Sequence, residues 1–232
     1  MKKAVISYNF GNYDVVAPIE WKTSGWEYVL FCDKDLENVP DGWKIVVLPD
    51  DFFFSEDPKR RANQIKYSPF TTFLEQLDQE LDLVVVLDAN MTICGDMDGF
   101  VDTYCMSTMD GVFLTHPTLQ NAYEDLDLCA KLQKDDPNEL VKTHTHLESQ
   151  GYSSQGQYFQ TGVSIRRNTS AWKIIEYFFY KEYVKLTKRD QPVMNFLRWK
   201  YDVLDLNLID VTHIEEYLRY EKHHFEDVVE AT

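Results

Sequence analysis

The sequence predicts an α/β fold, a central sheet with helices on both faces, and three observations carry that expectation. Residues Leu83 to Leu87 (LVVVL) form an unbroken apolar run, the pattern of a strand covered on both sides. Three short apolar segments crowd the first fifty residues, each closing in polar residues, as at the start of a doubly wound sheet. Later segments repeat their apolar residues at helical spacing.

In chain order, Lys3 to Tyr8 reads as the first strand, followed by a polar turn at Asn9, Gly11 and Asn12. Trp26 to Cys32 is the second strand, and Trp43 to Leu48 the third, ending before Pro49. From Lys59 to Leu77 a basic cluster leads into Phe70, Phe73, Leu74 and Leu77 at helical spacing. After the central strand come a strand at Gly111 to Thr115 and a helix over 121–132. Residues 134–158 are polar, hold His144, His146 and the segment GYSSQG at 151–156, and are expected to form a long functional loop. Phe159 to Arg167 is a strand with Gly162 at its middle, where a side chain would intrude on a neighbour. Helices are expected over 171–186 and 193–201, then a strand from Val203 to Val211. With no repeat, linker or composition shift, the 232 residues read as one domain.

Composition narrows the function. There are 39 acidic residues against 23 basic, a net charge of −16, and such a field repels polyanions and argues against a nucleic-acid surface. A local basic pocket for a small phosphorylated ligand remains compatible with it. Cys32, Cys94, Cys105 and Cys129 show neither C-x-x-C nor zinc spacing and read as reduced core thiols. The N-terminus enters a strand at once, and no 18-residue apolar run exists, so a cytoplasmic protein without a membrane span is expected. The absence of G-x-G-x-x-G counts against a dinucleotide enzyme.

Two groups of residues carry candidate chemistry. The central strand stops at Asp88-Ala89-Asn90, and ligands of open α/β sheets sit outside the carboxyl ends of strands. If the backbone stays extended, Asp88 and Asn90 point the same way, two oxygen ligands for a hard divalent ion shared with phosphates. An Asx-turn ending the strand explains the same residues without a metal. In an acidic chain, Arg61 and Lys66 are candidates for a phosphate clamp, against the alternative of a solvated helix face.

The order of these segments resembles the nucleotide-sugar glycosyltransferases of the GT-A fold. It is closer to a small family long catalogued as a domain of unknown function, which includes plant mucilage glycosyltransferases. The motifs are RRANQIKYSPF with VVVLDANMTI, HPTLQNAYED with LESQGYSSQG, TGVSIRR, KRDQPVMNF and RYEKHH, over roughly residues 3–225. The familiar Asp-x-Asp is Asp-Ala-Asn here.

The resemblance implies a single Rossmann-like GT-A domain with a mixed sheet, a nucleotide-binding half at about 1–97 and a sugar and acceptor half at about 98–232. It implies a metal-dependent transferase that moves a sugar from a nucleoside diphosphate sugar, a UDP-sugar first, to a hydroxyl acceptor. Ser7, Tyr8, Asn9 and Asp33 would hold base and ribose. Asp88, Asn90 and a histidine, His223 or His224 with His213 third, would bind Mn²⁺ or Mg²⁺. Arg61 and Lys66 would meet the diphosphate, Gly162 would admit the sugar, and Asp190 and Gln191 would meet the sugar or the attacking hydroxyl, with Asp190 the base of an inverting reaction. Alternatives are a catalytically silent sugar- or nucleotide-binding relative, a transferase acting on a modified nucleic-acid base, and a nucleotidyltransferase.

Overall fold

Seven strands hydrogen-bond into one sheet in a computed structural model that describes residues 1–34, 36–153 and 157–221. They are β1 (Lys3–Asn9), β2 (Trp26–Cys32), β3 (Lys44–Val47), β4 (Leu83–Asp88), β6 (Gly111–Thr115), β7 (Phe159–Arg167) and β8 (Leu206–Ile209), in the order β3-β2-β1-β4-β7-β6-β8. The short strands β5 (Met91–Ile93) and β9 (Leu218–Tyr220) pair as a separate antiparallel ribbon. β3, β2, β1 and β4 are mutually parallel, β7 runs against both its neighbours, and β6 and β8 are parallel again. The expected Rossmann-like mixed sheet is therefore present.

The apolar run of β4 explains itself by alternation. Leu83, Val85 and Leu87 enter one core with Met97 and Phe100 of α3 (Met97–Tyr104). Val84 and Val86 enter another, with Ile65 of α1 (Pro58–Tyr67) and Phe73 of α2 (Pro69–Leu77). A third core joins α4 (Ala122–Lys131), α5 (Pro137–Ser149), α6 (Ser170–Tyr183) and α7 (Asp190–Tyr201) around Phe113, Phe159 and Trp172. A strand with helices on both sides needs apolar residues at every position, not at alternate ones.

Two local expectations are corrected. The stretch at 59–77, where only Phe70 to Leu77 was expected at helical spacing, is two helices, because Pro69 has no N–H to donate and pushes Ser68 out of the helical region, to φ −130°, ψ 48°. The expected loop at 134–158 contains α5, capped by Asp136, whose carboxylate accepts from Asn138 N at 2.7 Å, with Pro137 at the first position. Its buried Leu140, Thr143 and Leu147 follow helical spacing. Residues 154–156 of the GYSSQG segment lie outside the described residues.

Two features of the sheet set up the site. From β1 the chain passes to β2 on one side while β4 lies on the other, so the carboxyl ends of β1 and β4 flank a switch point, where a crevice opens in such sheets. The β6–β7 register also jumps, from Phe113 opposite Ser164 to Leu114 opposite Gln160. Thr161 to Val163 are thus bulged relative to β6, and a bulge re-aims the side chains within it.

Candidate active site

At the carboxyl ends of β1 and β4, strands β1, β4 and β7 and helices α1 and α7 converge on one ammonium. Lys66 Nζ, from the last turn of α1, lies 3.3 Å from Asp88 Oδ1 and 2.9 Å from Asp190 Oδ2. The bulge turns Thr161 into the same cluster, its Oγ1 3.3 Å from Lys66 Nζ and 2.7 Å from Asp190 Oδ2. Tyr67 OH donates to Asp190 Oδ2 at 2.9 Å, and Tyr8, directly opposite Asp88 in the sheet, donates its hydroxyl to Asp88 Oδ1. Burial and the neighbouring carboxylates hold the Tyr8 and Tyr67 phenols well above their usual range, so both stay protonated donors.

The two acids differ in what they can do. Burial alone would raise the Asp190 carboxyl, yet Lys66 and Arg189, with hydrogen bonds from Lys66 and Thr161, hold it well below the usual carboxylate range. Its Oδ2 already takes three donors, so Asp190 suits anchoring Lys66, and its depressed carboxyl argues against the base role expected for it. Asp88 has a side chain 30% exposed, against 8% for Asp190 and 6% for Lys66, and is therefore the acid that solvent reaches. Both of its bonds go to Oδ1. Its Oδ2 lies towards Gly162, where an added Cβ would approach it to 3.0 Å. The glycine makes room for this carboxylate.

Further positive charge surrounds the cluster. Lys59 is half-buried, and burial with Arg189 and Lys66 nearby brings its ammonium down to about 8. Arg189 acts on both Lys59 and Asp190. Lys59, Lys66 and Arg189 thus gather positive charge around Asp88 and Asp190 in an otherwise acidic chain.

Helix geometry decides which basic residues take part. A helix turns about 100° per residue, so positions five apart lie about 140° apart and positions seven apart about 20°. Lys59 shares the face of Lys66, whereas Arg61 does not. Arg61 instead pairs with Asp50 at 2.6 Å, donates to Ser55 O at 3.0 Å and stacks over Phe53. The expected clamp of Arg61 with Lys66 is therefore not formed, and Lys59, seven positions before Lys66, shares its helix face instead.

Other candidates are held elsewhere. Ser7 is fully buried on the opposite sheet face from Tyr8, and its hydroxyl has no hydrogen-bond partner. Asn9 closes its own loop, donating to Asp14 O at 2.7 Å, and Asp33 accepts from Gly11 N at 3.1 Å. The chain turns at Ala89 and Asn90 rather than staying extended, and the Asn90 amide donates to Glu221 O at 2.9 Å, so the condition for Asn90 to align with Asp88 fails. His213 stacks on Tyr104 of α3, across the sheet from Lys66. His223 and His224 lie outside the described residues. Gln191 donates to Asp125 Oδ2 at 2.9 Å.

Asp125 and Arg166 stand in the motifs HPTLQNAYED and TGVSIRR, yet the sequence assigned no role to them or to Tyr158. Arg166 is fully buried among Tyr67, Phe113 and Trp172, and its Nη1 donates to Lys66 O at 2.6 Å, fixing the end of α1. A charged residue inside an apolar strand was its only signal.

No group of three or more histidine, cysteine or acidic side chains gathers as a metal site among the described residues. Asp88 Oδ2 is one carboxylate oxygen, which fits a Mg²⁺ or Mn²⁺ ion coordinated mainly by phosphates and water. No family model matches the chain, and no curated protein matches it.

Proposed function

We propose that the protein is a GT-A-type glycosyltransferase, transferring a sugar from a nucleoside diphosphate sugar, a UDP-sugar first, to a hydroxyl acceptor. The observation that carries this reading is Asp88, a partly exposed carboxylate at the β1/β4 switch point, set among Lys59, Lys66 and Arg189. Breaking the sugar–phosphate bond builds negative charge on the departing diphosphate, and preorganised cations at that point lower the barrier. Lys66, fixed by Asp190, Thr161 and Asp88, is preorganised in this sense. Asp88 Oδ2 would hold Mn²⁺ or Mg²⁺, which when bound supplies Lewis-acid stabilisation of the same charge. Cys32, Cys94, Cys105 and Cys129 form no disulfide, which fits a cytoplasmic setting, and no helix among the described residues is long and apolar enough to cross a membrane.

The test is a panel of nucleotide sugars with and without Mn²⁺, following release of nucleoside diphosphate. Slow metal-stimulated hydrolysis of one donor is expected. Asp88→Ala should abolish it at a cost of about 1–3 kcal/mol in stability, since Lys66 loses one carboxylate but keeps Asp190 and Thr161, and the Tyr8 hydroxyl loses its acceptor. Transfer at the wild-type rate by that variant would defeat the reading. Release of pyrophosphate from a nucleoside triphosphate and a sugar phosphate, with no nucleotide sugar hydrolysed, would instead reveal a nucleotidyltransferase. The tie between Lys66 and both acids also favours a second reading, a silent binding relative; calorimetric binding of UDP without turnover of any donor would support it.

A further inference from the structure

We propose that the groove between α2 and α6 binds a linear organic polyamine, its ammonium groups held by Glu176 and the carboxylates around it. The groove has a volume of about 620 Å³, and none of Lys66, Asp88 and Asp190 lines it. Four carboxyl groups, Asp51, Glu75, Glu80 and Glu176, reach its wall against one ammonium, Lys173. Phe70, Tyr177 and Tyr180 add aromatic surface. Such a wall repels phosphates and carboxylates and attracts cations. The four acids do not clasp a single metal ion, since no three such side chains gather among the described residues. A cation whose charges are spaced along an alkyl chain matches that spread, with its methylenes against the rings and its ammonium groups over ring faces.

An acidic wall is commonplace in a chain of net charge −16, and Glu176 is what sets this one apart. It is 8% exposed. Its Oε2 accepts from Thr71 Oγ1 at 3.1 Å, while its buried Oε1 accepts from no group among the described residues. Arg166 and Lys173 act on the carboxyl through their charge, but burial outweighs them and pushes it up to about 7. A buried carboxylate with an unfilled oxygen is costly, so near neutrality the group is held about half as the neutral acid. Glu75 acts with Glu176 on the Tyr180 phenol, whose hydroxyl lies 3.0 Å from Ser68 Oγ, so both acids border one ring. An ammonium seated beside Glu176 donates to Oε1 and favours the ionised form, and the carboxyl proton leaves to solvent. The groove stands apart from the Lys66 cluster, so its test does not depend on turnover of any donor.

The experiment is titration calorimetry on the full chain at pH 7 in about 0.15 M salt, which screens diffuse surface attraction. The probes are 1,4-diaminobutane and spermidine, each in two buffers of different ionisation enthalpy. At least one amine should bind saturably and release roughly half a proton, as a half-protonated carboxyl becomes fully ionised. The uncharged 1,4-butanediol should not bind. Glu176→Gln keeps an oxygen for Thr71, and should weaken amine binding about tenfold or more and abolish the proton release. Glu148→Gln, on α5 with a side chain 61% exposed, should bind as the wild type does. Equal losses in the two variants, or none in Glu176→Gln, would mean diffuse attraction to an acidic surface and would overturn the proposal. Proton release by the wild type decides the matter even if Glu176→Gln does not fold: binding without it means that Glu176 holds no ammonium. Saturable binding of the diol also overturns the proposal. So does binding of neither amine, with Arg166 Nη2, itself without a partner among the described residues, then reaching Glu176 Oε1 through a bridging water.

Discussion

Lys66 and Arg61 are similar side chains on one helix with opposite environments, and their substitution should separate them. Lys66→Met leaves the buried Asp190 without its closest cation, and stripping one partner from a buried pair costs about 3–5 kcal/mol. Arg61→Met returns Asp50, whose side chain is 86% exposed, to water, at a cost of about 1 kcal/mol or less. In donor hydrolysis, measured well below each variant's melting temperature, Lys66→Met should lose about a hundredfold or more. Arg61→Met should stay within about threefold of wild type, less than 1 kcal/mol of barrier. Equal losses in the two would mean that neither ammonium position nor helix face matters to the chemistry. Asp190→Asn extends the same logic. It should destabilise by about 3 kcal/mol and reduce turnover without shifting the acidic limb of a pH–rate profile, because Asp190 anchors Lys66 rather than moving a proton.

At the scale of elements, the bulge in β7 is the sharpest determinant of the site. Gly162→Ala places a Cβ 3.0 Å from Asp88 Oδ2, too close without movement of that carboxylate. We expect nearly wild-type thermal stability, because the Asp88 side chain is partly exposed and can swing outward, with hydrolysis reduced at least tenfold. Unchanged activity would show that the Asp88 position is unimportant. The bulge itself was not legible in the sequence: Gly162 announced a close approach, but a register jump depends on how β6 pairs, which no local pattern records. β1, β2, β4, β6 and β7 were legible because strands buried on both faces leave apolar runs. α5 was missed because its buried stripe is only Leu140, Thr143 and Leu147 among polar neighbours, although Asp136-Pro137 marked its start. Of the site, Lys66, Asp88 and Asp190 were found from strand ends and motif order. Lys59 required the helix's angular period, and Asp125 required a tertiary contact between α4 and α7 that sequence distance hides.

For the whole molecule, one buried carboxyl should leave a signature in the pH dependence of folding. Glu176, on α6, is 8% exposed, and burial pushes its carboxyl up to about 7, against the hydrogen bond from Thr71 and the charges of Arg166 and Lys173. Its unfolded value is near the ordinary 4.3, so the native state binds the extra proton across the interval between the two. This contribution is fully present below about pH 4.3 and is lost as pH rises through about 7, a change on the order of 3 kcal/mol. Asp190 acts in reverse at the acid end, where its depressed carboxyl contributes stability that disappears as pH falls below the ordinary carboxylate range. Net charge of −16 adds self-repulsion that rises with pH as carboxylates ionise, but salt screens that part and leaves a buried group largely unaffected. Urea unfolding at pH 5, 6, 7 and 8 in high salt should therefore show falling stability in the wild type. Glu176→Gln keeps an oxygen for Thr71 without the ionisable proton, so its curve should be flatter and should cross above the wild type by pH 8. Parallel curves for the two proteins would mean that Glu176 titrates like a solvated carboxyl, and that water reaches the space between α2 and α6.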